Sequence, residues 1–309
     1  MKTMGGIQGR IKICYLVDAL NQSSTSRQVY TLAKYLRKED FSVTVVSFIN
    51  EQRQRRDFES IGVRLYHIDL GFDDVTKPNF RHAPWQVILL IYFLIRFFHQ
   101  QRFHIVHASG LPTVIFGIIA SYIARVPVRI GRLSTRKEPS PRAFYFLSWL
   151  ARIATHWAEG DPLILDQFAE LGVPKQKLLY FPHLIDNAIF RPRESKRSEI
   201  RKFLNLPKRA FVILTIARLI PMKGVDRFLA VAKEILRSVP TAHFVIAGEG
   251  PEYEHLRSLA LQLHIKDHTH FVGFYPRSWE LYTAADVVAF TSWPSYDSIP
   301  SAVLESFAC

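Results

Sequence analysis

The sequence predicts an α/β protein built from two doubly wound parallel-sheet domains in tandem. Three observations predict it. Short apolar runs of strand length alternate with segments whose apolar residues recur at helical spacing. The alternation breaks at a charged stretch, Arg191 to Lys202, and restarts at Phe211. A chain of 309 residues, 48% of them apolar, is long enough for two ordinary cores. The expected division is 1–190 and 191–309.

The elements follow in order. Ile11 to Val17 is a continuous apolar run, as expected of a parallel strand buried on both faces. From Ser26 to Leu36, Val29, Leu32, Ala33 and Leu36 form a helical stripe. Ser42 to Phe48 and Val63 to Ile68 read as strands. Trp85 to Phe98 is almost wholly apolar, but Gln86 and Arg96 interrupt it. It is shorter than the ~20 residues a membrane span needs. It reads as a core helix, with a membrane-contacting helix as the alternative because basic residues flank it. Ile105 to Ala108 and Val128 to Ile130 read as strands, and Val114 to Ala124 and Ala143 to Ile153 as helices. Asp161-Pro162 opens a helix that Gly172 closes, and Leu178 to Phe181 is a strand. Arg191 to Lys202 has little apolar patterning and reads as a boundary segment. Strands follow at Phe211 to Ile216, His243 to Ala247, His270 to Val272 and Val287 to Phe290, the last read as buried.

Composition narrows the function. The net charge is +13. No carboxylate occurs between Asp74 and Glu138, while nine Lys and Arg do. Acidic lipid headgroups, a phosphorylated acceptor or nucleic acid each suit such a surface. No base-reading module is present, so nucleic acid is not an expected partner. Cys14 lies in an apolar strand and Cys309 is the only other cysteine, which argues against a disulfide framework and for a reducing compartment. No signal peptide is read at Met1 to Gly9.

Two stretches of the second half carry chemistry. After the strand Phe211 to Ile216, a loop brings Arg218 and Lys223 to a helix starting near Gly224. Two cations beside a helix N-terminus, at the carboxyl end of a parallel strand, make a phosphate site. Arginine forks across two oxygens and lysine adds a mobile point charge. The other stretch is Thr291 to Cys309. A polar turn with Pro294 and Pro300 leads into a helix from Ser301 to Ala308, with Ser301 as N-cap. Asp297 lies in the loop, and Glu305 lies eight positions later, about one turn inside the helix. A carboxylate at such a junction can accept sugar hydroxyls.

Together these stretches resemble the retaining GT-B glycosyltransferases of family 4. Asp297 and Glu305 look like that family's Glu-x7-Glu signature, with Asp in place of the first Glu. Arg218 and Lys223-Gly224 look like its Arg-x4-Lys-Gly. Ala247-Gly248-Glu249-Gly250-Pro251 is similar to its Gly-x-Gly-Pro turn, and Phe271 to Phe274 to the strand end that meets the base. Leu171 to Pro192 resembles its interdomain passage, with His183-Leu184-Ile185-Asp186 where Asn-Gly-Val-Asp is usual.

The resemblance implies a GT-B architecture, two Rossmann-like domains facing a cleft. It also implies an enzyme that moves a sugar from a nucleotide-diphospho-sugar, UDP or GDP as the nucleotide, to a glycan, lipid-linked or small-molecule acceptor. The second domain would hold the donor and the first the acceptor. Arg218 and Lys223 would neutralise the diphosphate as the glycosidic bond breaks. Glu305 would hold the ribose. Asp297, with the backbone of Ser298, Ile299 and Pro300, would face the sugar. Gly248, Gly250 and Phe274 would line the donor site. No Asp-x-Asp motif is present, so no metal and no further cofactor are expected. The chain ends within a helix, so the second domain is expected to be incomplete. The expected location is the cytoplasm, at the inner face of an anionic membrane if the basic surface is used.

Departures lie in the first half. Ser23-Ser24 occupy the place of a Gly-Gly loop, where hydroxyls would donate to the donor phosphate but Cβ atoms limit the approach. Where relatives often carry a histidine, Arg132, Leu133 and Ser134 stand. His107 is the acceptor-side candidate. These changes keep a second reading open: a non-catalytic GT-B-like protein that binds nucleotide or a membrane surface.

Overall fold

The computed structural model describes residues 9–21, 23–49, 53–68, 84–133, 141–293 and 300–309. The chain forms two compact units, Met1–Leu184 and Ile185–Cys309.

The first unit holds a seven-stranded sheet: β1 (Ile11–Ala19), β2 (Phe41–Ile49), β3 (Arg64–His67), β4 (Ile105–Ser109), β5 (Val128–Arg132), β6 (His156–Glu159) and β7 (Leu178–Tyr180). The order is β3-β2-β1-β4-β5-β6-β7, with every pairing parallel. The winding direction reverses between β1 and β4, where Tyr15 pairs with His107 and Val17 with Ser109. Helices α1 (Ser24–Tyr35), α2 (Arg55–Ser60), α3 (Pro84–Gln101), α4 (Leu111–Ile123), α5 (Pro141–Ile153) and α6 (Pro162–Glu170) connect the strands. Side chains alternate along each strand and so feed two cores. Leu16, Val106 and Ala108 meet Leu94 and Phe98 of α3, Ile118 of α4 and Leu150 of α5. Ile13, Tyr15 and Val17 point the other way, to Val29 of α1 and Phe58 of α2. Asp161 caps α6, accepting the Leu163 N–H at 3.0 Å, ahead of Pro162.

The second unit holds a four-stranded parallel sheet in the order β10-β9-β8-β11. Its strands are β8 (Phe211–Ile216), β9 (Ala242–Ala247), β10 (Thr269–Gly273) and β11 (Val287–Val288). Its helices are α7 (Glu194–Phe203), α8 (Val225–Ser238), α9 (Tyr253–Gln262), α10 (Ser278–Ala284) and α11 (Ser301–Ala308). One core packs Phe228, Leu229 and Ala232 of α8 against Phe244 and Ile246. Another packs Leu214 and Val245 against Leu281 and Tyr282 of α10.

Four local expectations change. The charged stretch read as a boundary is largely the helix α7. Ile200 is its buried anchor, and Arg197 and Arg201 both donate to Asp286, Arg201 at 2.6 Å. Those two guanidinium groups also reach the carbonyls of Thr283, Ala284, Ala285 and Ala210 at 2.9–3.1 Å. The strand β6 and the short helix α2 were not expected at all. Strand β11 is two residues long and half-exposed rather than buried, because it lies at the sheet edge. Helix α11 starts at Ser301 itself, with Pro300 as its N-cap.

Candidate active site

In the second unit, the loops that leave the carboxyl ends of three strands are tied together by their backbones. Ala217 N–H donates to Ala247 at 3.0 Å, Leu219 N–H to Glu249 at 2.9 Å, and Gly248 N–H to Gly273 at 2.8 Å. Arg218 stands between the first two of these bonds, exposed. Gly248 has φ +144, and a Cβ there would come within 1.8 Å of the Ala217 carbonyl oxygen. Glycine is therefore what lets the β8 and β9 loops close on one another.

Lys223 ends a 3-10 turn, Pro221–Lys223, directly before α8. The segment after β11 runs beside this turn: Trp293 N–H donates to the Met222 carbonyl at 3.0 Å, and the Thr291 hydroxyl donates to that of Lys223 at 3.3 Å. Arg227, on the first turn of α8, stacks its guanidinium 3.2 Å from the centroid of the Trp293 ring. The structure thus brings together the Arg218 loop, the Lys223 turn, the Gly248–Gly250 turn and the approach to the Asp297 loop. Asp297, Ser298 and Ile299 themselves lie outside the described residues. Phe274 follows Gly273 and is partly exposed. Glu305 is buried on α11 and accepts the Tyr282 hydroxyl at 3.0 Å.

In the first unit, Ser23 serves as the N-cap of α1. Its Oγ accepts the Ser26 N–H at 3.3 Å, and Ser24 is the first helical residue. Both serines are exposed. His107 is buried, between the rings of Tyr15 and Phe181 at 5.4 and 6.3 Å. Its Nε2 has no hydrogen-bond partner. Burial, then the charge of Arg132, lowers its pKa to about 3, so it is neutral.

Two groups here escaped sequence reasoning. Arg132 lies at the end of β5, buried. Its Nε reaches Glu159 at 3.4 Å, its Nη1 bonds Gln28 Oε1, and its Nη2 faces His183 Nε2 at 3.4 Å. Glu159 also accepts the Gly160 N–H at 2.8 Å. The guanidinium donates, so His183 Nε2 accepts and the ring is neutral; burial and then Arg132 lower its pKa. The second group is Asp18, just past the point where the sheet reverses. Its carboxylate packs on Gly110, where a Cβ would come within 2.4 Å. One of its oxygens is buried without a partner. Burial pushes its pKa up to about 7, against a Thr113 hydrogen bond that favours the charged form. The only sequence signal was Arg132 standing where relatives have histidine.

Residues 25–183 match the family "Glycosyl transferase 4-like domain". The chain belongs to that family. Residues 196–309 match a second one, "Glycosyl transferases group 1". Among curated proteins, the chain is similar to the GDP-mannose-dependent alpha-(1-6)-phosphatidylinositol monomannoside mannosyltransferase of Mycobacterium tuberculosis, at 38% identity over 107 residues. That match covers 35% of this chain and 28% of the relative. It is also similar to the D-inositol 3-phosphate glycosyltransferase of Acidothermus cellulolyticus, at 36% identity over 51% of this chain and 36% of the relative. The chain thus matches about a third of the length of these relatives. Among solved structures, Anabaena HepE in complex with UDP-glucose superposes with TM-score 0.80 at 20% identity, over 97% of this chain and 79% of that one. The UDP-GlcNAc 2-epimerase of Neisseria meningitidis bound to UDP-GlcNAc superposes with TM-score 0.60 at 12% identity, over 90% of this chain and 76% of that one. These neighbours share the fold. Among the described residues no three His, Cys, Asp or Glu gather as a metal site.

Proposed function

We propose that the chain carries a retaining, metal-independent glycosyltransferase acting on a nucleotide-diphospho-sugar. Arg218 and Lys223 grip the diphosphate, Glu305 the ribose, and Asp297 with the Ser298–Pro300 backbone the sugar. The turn at Gly248 and Gly250, with Phe274, completes the donor site. The first unit, which carries Ser23 and Ser24, takes the acceptor.

The observation that carries this reading is the tie between the β8, β9 and β10 loops and the segment Thr291–Trp293. It draws two loops that carry cations and a closely packed glycine turn to the end of a parallel sheet, the kind of place where anionic ligands bind. In the reaction, the bond from the sugar's C1 to the diphosphate oxygen breaks. A bond from C1 to the acceptor oxygen forms on the same face. The acceptor's proton passes to the departing phosphate, so no separate base is required. Arg218 and Lys223 stabilise the charge that builds on that phosphate. Relatives named for a phosphatidylinositol mannoside and for inositol 3-phosphate support a lipid-linked or small polyol acceptor.

Incubation with radiolabelled UDP-, GDP- and ADP-sugars tests the reading by hydrolysis and transfer. Lys223→Ala should weaken donor binding about tenfold to a hundredfold, the range for losing one charged hydrogen bond, and turnover with it. Unchanged donor affinity, measured calorimetrically, rules out the assigned site.

A further inference from the structure

We propose that the outer face of helices α3, α4 and α5 is a docking surface for an anionic lipid bilayer. The inference does not depend on the reaction assigned above.

The three helices pack side by side and cover one face of the first sheet. Leu90, Leu94 and Phe98 of α3, Ile118 of α4 and Leu150 of α5 all enter the same core. Their opposite sides therefore share one outer surface. On α3 that side carries Trp85, Ile88, Leu89, Tyr92 and Phe93, each between 42% and 68% exposed. The spacing is that of a single helical stripe, so α3 is apolar on both sides and buries only one. Ile123 at the end of α4 and Trp149 on α5 add 53% and 46% exposed side chains to the same layer. Soluble surfaces seldom gather this many large apolar groups without a partner.

The chemistry of the rim selects the partner. Arg96 continues the α3 stripe, exposed, with its guanidinium 6.0 Å from the Tyr92 ring. Arg102 and Arg125 follow α3 and α4, and Arg152 lies in the last turn of α5, all exposed. Over residues 75–137, which supply α3, α4 and their connections, there is no carboxylate. A second copy docking on this face would set arginine against arginine with no acid from that stretch to answer it. A bilayer with acidic headgroups answers both features at once. Its interface accepts tryptophan and tyrosine rings, and its surface potential attracts arginine. Among the described residues no helix is long and apolar enough to cross a membrane. The contact proposed is therefore one that lies on the surface.

The test is sedimentation of the whole chain with vesicles of phosphatidylcholine alone, or of equal parts phosphatidylcholine and phosphatidylglycerol. Binding is expected to the mixed vesicles and to fall with salt as the Debye length shrinks from ~10 to ~3 Å. Ile88→Ser and Phe93→Ser should each reduce partitioning about tenfold, the effect of keeping one large side chain out of the bilayer. Arg96→Ala and Arg125→Ala should each reduce it about fivefold, and serve as the test if a serine variant loses its circular dichroism. Equal binding to neutral vesicles, no binding to either, or variants that bind like the parent would overturn the proposal. So would concentration-dependent self-association that Ile88→Ser abolishes.

Discussion

The carboxyl ends of the two sheets make an instructive pair. Both are parallel, both place an arginine just beyond or at the end of a strand, and both gather loops there. At the end of the first sheet the arginine is buried and fully engaged: Arg132 is held by Glu159, Gln28 and His183. At the end of the second, Arg218 is exposed, on a loop that backbone hydrogen bonds tie down. On the proposed reading, the difference separates a cation that holds the fold from one that meets a ligand. A buried charge must be matched by its own chain, because leaving it unmatched in the interior is costly. An exposed one keeps contact with solvent, and in the proposed site it would meet the donor phosphate there.

Removing each arginine is the sharpest way to break this contrast. Arg132→Ala removes one ion-pair partner of Glu159, which is wholly buried. Loss of one partner of a buried pair costs about 3–5 kcal/mol, which should appear as a lower urea midpoint. Arg218→Ala, at an exposed side chain, should cost less stability than Arg132→Ala while losing donor affinity. If the two variants unfolded alike, the division between fold and ligand would fail.

Asp18 is the exception inside the first unit, and it sharpens the contrast by pH. Its carboxyl is raised from an ordinary value near 3.8 to about 7, so the folded state holds a proton that the unfolded chain has released between those values. Stability from this group is complete below about pH 3.8 and is lost as pH rises through 7. Asp18→Asn should therefore stabilise the protein at pH 8 by on the order of 2–4 kcal/mol, and much less at pH 5. His107 acts in the opposite sense. Its folded value near 3 lies below 6.5, so its contribution is present above pH 6.5 and fades as pH falls towards 3. Denaturation curves at pH 5 and 8 for Asp18→Asn isolate the first effect, and an equal gain at both would refute it.

Much of the architecture was legible because the information is local. Buried parallel strands such as β1, β8 and β9 are unbroken apolar runs, and few other elements look like them. The loop that carries Arg218 and Lys223 was legible for the same reason, since strand, loop and helix start lie within a dozen residues. What was missed depends on partners far along the chain. Strand β6 reads His-Trp-Ala-Glu and looks like a loop until Arg132, 27 residues earlier, neutralises Glu159. Helix α7 looks like a charged linker until Asp286, 85 to 89 residues later, collects two of its arginines. Asp18 gave no local sign, because its state is set by the Gly110 turn reached from another strand. Ser23 and Ser24 were read as phosphate donors. The first caps α1, a role that leaves its hydroxyl hydrogen free to donate.

The smallest expected effect concerns Glu305, a proposed donor contact that is both buried and engaged. Tyr282, on α10, donates to its Oε2 at 3.0 Å and is itself part of the core with Ala308 and Cys309. In the proposed site Tyr282 touches no substrate; it sets the angle at which the carboxylate meets the ribose. Tyr282→Phe keeps the ring and removes only the hydroxyl, a loss worth about 1 kcal/mol. Donor KM should rise about fivefold with kcat nearly constant, because ribose is held alike in the ground state and the transition state. A purely structural bond would lower the melting temperature and leave KM where it was. In that case Glu305 would belong with Glu159, a carboxylate that serves the fold, and the ribose would need another partner.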